Sequence, residues 1–130
     1  RRQVLHLRDA GIEVGVRIDP DIEQCKALHR AEAEVAVINC DAFSRARTSQ
    51  ERASEITRIS DTATLANRLG LRVGIVGDID LVSIESLARI AHIDEFQVGH
   101  ACLARGMLRG IEQAVLDFSA GIERGRRRAF

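Results

Sequence analysis

The chain has 130 residues, 45% of them apolar, and its 19 lysines and arginines balance 19 aspartates and glutamates. That length suits one domain, residues 1–130, with enough apolar residues for a real core. The mixed charge and scarce aromatic residues argue against a nucleic-acid protein, and no apolar run approaches the roughly 18 residues of a membrane span.

Cys25, Cys40 and Cys102 are odd in number and widely spaced, with no C-x-x-C pair. Free thiols in a reducing cytosol are the expectation, no metal site is expected, and no signal peptide is visible, so a cytoplasmic location is expected. The chain opens on Arg1, and residues 3–11 read as the last turns of a helix with a glycine stop. It is thus expected to enter mid-fold, as a piece of a longer chain or a processed product would.

Ile12 to Ile18 is a β-rich run ended by Asp19-Pro20-Asp21, with Pro20 suited to a first helical turn and Asp19 to its N-cap. A helix is expected from about Asp21 to Ala33, with Ile22, Cys25, Leu28 and His29 on one side. Residues 35–40 (VAVINC) form a second strand, apolar almost throughout. A loop over 41–48 leads to a long helix, 49–69, with Ile56, Ile59, Ala63, Ala66 and Leu69 as its stripe. Residues 71–76 form the third strand, Gly77-Asp78-Ile79-Asp80 turns the chain, and a helix follows over 82–91. The fourth strand, around Phe96-Gln97-Val98, runs into Gly99-His100. The last helix is expected over 103–121, and Arg124 to Arg128 form a frayed basic end.

Four strand–helix units call for a parallel sheet with right-handed crossovers and helices outside. This is an α/β chain with about half the units of a TIM-type (β/α)8 barrel. Four turns then share one rim: Asp19-Pro20-Asp21, Asn39-Cys40-Asp41, Gly77-Asp78 and Gly99-His100. With barrel curvature, two sheet edges and an inner apolar face stay open and call for a partner, either a second copy or an N-terminal half.

The Gly99-His100 corner has two readings. A strand delivering glycine to a helix N-terminus offers unpartnered amides to an anion, and His100 adds a titratable donor. Alternatively, Gly99 only makes a tight turn that His100 caps. Asp78 and Asp80 are either a general base or metal pair, or solvated turn residues. Cys40 is a strand-end thiol, nucleophilic or simply packed. Arg45 and Arg47 are either phosphate-reaching or solvated, and His6, His29 and His92 read as surface or packing residues.

Arg17-Ile18-Asp19-Pro20-Asp21 resembles the "FIDPD" segment of the pyridoxine 5'-phosphate synthase family. Ala66-Asn67-Arg68-Leu69-Gly70-Leu71-Arg72-Val73 is similar to its "A-x-x-LGL-x-V" junction, and residues 96–105 (FQVGHACLAR) to its "LNIGHALIAR" final strand. The resemblance covers essentially the whole chain and corresponds to strands five to eight of a TIM barrel. It implies condensation of 1-deoxy-D-xylulose 5-phosphate with a phosphorylated aminoacetone derivative, no metal or redox cofactor, and homo-octameric assembly. It also implies a phosphate at Gly99 and His100.

The departures bear on activity. The family's "ELHTG" strand is matched by Val37-Ile38-Asn39-Cys40-Asp41, and "NAGHGL" by residues 74–79 (GIVGDI). The histidine position falls on Gly77 and the phosphate glycine on Asp78; a shift of one puts Gly77 at the phosphate and still supplies no histidine. Each well-placed proton transfer contributes about 10²–10⁴-fold, and glycine and valine transfer none. The expectation is a vitamin B6 synthase relative with reduced or no activity. If active it would be a transferase drawing on Asp78, Asp80 or His100. The rival reading is a non-catalytic half-barrel that binds a phosphorylated small molecule or serves assembly.

Overall fold

A computed structural model describes residues 1–129. The elements run α1 (Arg2–Asp9), β1 (Gly15–Ile18), α2 (Ile22–Arg30), β2 (Val35–Asn39), α3 (Asp41–Arg45) and α4 (Ser49–Arg68). They continue with β3 (Arg72–Val76), α5 (Leu81–Leu87), β4 (Glu95–Gln97), α6 (His100–Arg109) and α7 (Ile111–Arg127). The strands form one parallel sheet in the order β1-β2-β3-β4, each step crossing over through helix. Consecutive parallel neighbours with α connections make a half TIM-barrel.

The core collects only alternate strand residues. Val16, Ile18, Ala36, Ile38, Val73, Ile75 and Phe96 face it, together with Ile59, Ala63 and Ala66 of α4 and Leu87 of α5. The other strand positions, Gly15, Arg17, Val37, Asn39, Gly74, Glu95 and Gln97, stay outside that cluster. Period-two alternation therefore gives the sheet an apolar helix-side face and a mixed polar inner face, where an apolar one was expected. The inner face is polar because Arg17 and Asn39 hydrogen-bond across it and Arg72 pairs with Glu95 at 3.6 Å.

Several local expectations change. The helix after Pro20 is capped by Asp21, whose carboxylate accepts from the Gln24 amide at 2.9 Å, not by Asp19. Asp19 instead pairs its backbone with the Gln24 side chain. The expected loop after β2 contains α3, anchored by buried Phe43. Thr48 and Glu51 close a reciprocal capping box at the start of α4. The last helix is two helices, broken at Gly110, where φ is +85°. The basic end is docked rather than frayed: Arg124 and Arg128 both reach Glu85 at 3.2 Å, and Arg126 lies 5.9 Å from the Phe96 ring centroid. No helix among the described residues is long and apolar enough to cross a membrane.

Candidate functional site

The carboxyl ends of the strands converge on a cleft of about 480 Å³ lined by Arg17, Asp41, Gly77, Asp78, Gly99 and His100, among others. Three of the four expected turns thus meet. Asp19-Pro20-Asp21 opens on a separate, smaller depression beside Asn39 and Arg58.

On the β4 side, Gly99 is the N-cap of α6 and His100 its first residue. No side chain caps this end, so the first-turn amides keep the donor capacity a helix N-terminus offers. His100 is exposed, and among the described residues its imidazole makes no hydrogen bond. A Cβ built at Gly99 would meet nothing within 4 Å, so packing does not demand glycine there.

On the β3 side the opposite holds. Gly77 sits at φ +151°, and a Cβ there would lie 2.9 Å from both Asp41 Oδ1 and Cys40 Sγ. Backbone geometry and packing alone explain this glycine. The turn is further fixed by the Ile79 amide on the Gly77 carbonyl at 2.9 Å. The Asp78 amide donates to Asp41 Oδ1 at 3.1 Å, and the Ser44 hydroxyl donates to the Asp78 carbonyl at 2.5 Å. The Asp78 side chain is exposed at the cleft.

Asp80 does not line the cleft. It is the N-cap of α5, accepting from the Ser83 amide at 2.7 Å and the Val82 amide at 3.1 Å. Partial burial pushes its carboxyl up, but the Ser83 and Val82 donors outweigh this and hold it below the ordinary value. Cys40 is 1% exposed, and burial, aided by the Asp41 carboxylate, pushes its thiol up to about 12. A thiol held protonated in this way is a packing group rather than a nucleophile. Arg45, the last residue of α3, and Arg47 beyond it are exposed and do not line the cleft.

Arg17 is the cleft residue that sequence alone passes over. It lies on the inner face of β1 and donates through Nη2 to Asn39 Oδ1 at 2.9 Å and Asp41 Oδ2 at 3.0 Å. The available signal was its place in the strand's alternation and the arginine standing where the resembling segment has phenylalanine.

With this geometry in hand, known proteins can be compared. The family model "Pyridoxal phosphate biosynthesis protein PdxJ" matches residues 1–124. The chain is 38% identical over 120 residues to the pyridoxine 5'-phosphate synthase of Desulforapulum autotrophicum, covering 92% of this chain and 50% of that protein. It is 34% identical over 123 residues to the Trichlorobacter lovleyi enzyme of the same name, covering 95% and 52%. The chain thus spans about half the length of the relatives it matches. A family model over nearly all of it, together with the strand order and rim just described, leads to one conclusion: the chain belongs to the PdxJ family of pyridoxal phosphate biosynthesis proteins.

Proposed function

We propose that the chain supplies the phosphate-binding wall of a pyridoxine 5'-phosphate synthase-type site, and that its own turnover is reduced or absent. The observation that carries this reading is the Gly99–His100 corner, which opens α6 at the same cleft as Gly77 and Asp78. The ligand class is a phosphorylated small molecule. Reduced activity follows from the side chains at the rim: Val37 and Asn39 on the inner face, Cys40 held protonated, and glycine rather than histidine at the end of β3, leaving His100 as the cleft's one imidazole among the described residues. The three free cysteines, two of them buried, suit a reducing, cytoplasmic compartment.

The test is a titration with pyridoxine 5'-phosphate followed by backbone NMR. The Gly99 and His100 amides are expected to shift, and Gly99→Val is expected to weaken binding while the chain stays folded, with at most about 1 kcal/mol lost at the α6 N-cap. Turnover of 1-deoxy-D-xylulose 5-phosphate with the phosphorylated aminoacetone is expected far below the ~1–10³ s⁻¹ of ordinary enzymes. No shift at the corner on a folded chain would remove the binding reading.

A second reading, an assembly half-barrel, draws on the surface. Strands β1 and β4 each have one unpaired edge. Leu103, Met107, Leu108, Ile111, Val115 and Leu116 on α6 and α7 are 50–88% exposed. Exposed apolar residues grouped on one helical hairpin mark a surface that is covered by association. Homo-oligomers, or pairing with an N-terminal half-barrel, are therefore proposed. Light scattering on the chain alone is expected to report a species larger than a monomer; a stable monomer at high concentration would count against self-association.

A further inference from the structure

We infer that Arg17 is the cationic anchor of the strand-end cleft and makes it select ligands that carry an oxyanion. This rests on reading the cleft as a ligand site. Arg17 is engaged on one nitrogen only: Nη2 serves both Asn39 and Asp41. Among the described residues, Nη1 and Nε donate no hydrogen bond, and the side chain is 55% exposed. A guanidinium carries five N–H donors in a rigid plane, so about three stay available to a ligand.

The surroundings explain why the charge is needed. Asp41 and Asp78 both line the cleft, and two carboxylates with no cation would repel a phosphate. The Asp41 carboxylate is already committed on both oxygens, Oδ2 to Arg17 and Oδ1 to the Asp78 amide. It therefore fixes the guanidinium in place, so a ligand does not have to order a free arginine. An exposed Arg–Asp pair contributes little to stability. Removing Arg17 therefore acts on binding and leaves the fold standing.

The experiment is isothermal titration calorimetry of the full chain with pyridoxine 5'-phosphate and with pyridoxine, which lacks the phosphate. The wild type is expected to bind the first and not the second. Arg17→Met is expected to weaken binding about 10- to 100-fold, the scale of charged hydrogen bonds lost, and Arg17→Lys to recover part of it. Should Arg17→Met not fold, Arg17→Gln, which keeps a donor for Asp41, replaces it. Undiminished binding by a folded Arg17→Met or Arg17→Gln chain, with Gly99→Val still impaired, would overturn the role of Arg17 and leave the phosphate reading intact. Equal affinity for pyridoxine would also overturn it. A wild type that binds neither probe removes both.

Discussion

Replacing Phe43 with alanine is expected to lower the unfolding free energy by about 3–5 kcal/mol, as for other fully buried aromatic residues. That is a large share of the roughly 5–15 kcal/mol typical of native proteins. Phe43 is 1% exposed and is the largest fully buried side chain of the described residues. It belongs to α3, five residues long and without a side-chain cap, far too short to persist on helix propensity. Its burial against the core is what keeps α3 in place. The ring is also visited by Arg52, 5.5 Å from its centroid, which adds at most about 1 kcal/mol at an exposed site. The effect reaches the cleft because α3 carries Asp41 and Ser44, the two residues that hold the turn after β3. Urea denaturation of the wild type, Phe43→Ala and Phe43→Leu measures it, with leucine expected to restore most of the loss. A loss under about 1 kcal/mol for alanine would mean that the polar ties of Asp41 and Ser44, rather than Phe43, hold α3.

Much of this architecture is legible in the sequence because it depends on local periodicity. The strands, the long helix with its Ile59–Ala63–Ala66 stripe, and the Gly99–His100 junction each declare themselves within a few residues. What stays hidden depends on distant partners. One phenylalanine among polar residues at 41–48 has no period to reveal α3. A lone Gly110 inside an apolar helical pattern is ordinarily tolerated, so only its observed φ of +85° exposes the break. The tail arginines look free until Glu85, 39 residues before Arg124, is brought beneath them. Arg17 is hidden for the same reason. Its partners Asn39 and Asp41 lie 22 and 24 residues on, and only strand pairing makes them neighbours. Asp80 carries two readings in the sequence, chemistry or turn, because a D-x-D turn looks the same whether its second carboxylate faces a ligand or caps a helix.

Gly77→Ala is expected to destabilise the chain by about 2–4 kcal/mol, combining the strain of an unsuitable backbone conformation with overpacking. Both terms are visible. At φ +151° an L-residue is strained whatever space surrounds it, and the new Cβ would also press on Cys40 Sγ and Asp41 Oδ1 at 2.9 Å and on the Asp41 backbone nitrogen at 3.1 Å. Moving Asp41 breaks its bonds to the Asp78 amide and to Arg17, so ligand affinity falls together with stability. The double variant Gly77→Ala/Cys40→Ala removes the sulfur but neither the strained φ nor the Asp41 backbone, and is expected to recover only part of the loss. Thermal unfolding with hydrogen exchange at the Asp78 amide follows both effects, and a melting temperature equal to wild type would refute the packing account. The comparison with Gly99 separates two uses of glycine. At Gly77 the fold requires the missing side chain, so weaker binding there reports a damaged turn. At Gly99 a Cβ has open space and only the N-cap preference is lost, so weaker binding by a chain that stays folded reports the approach of a ligand.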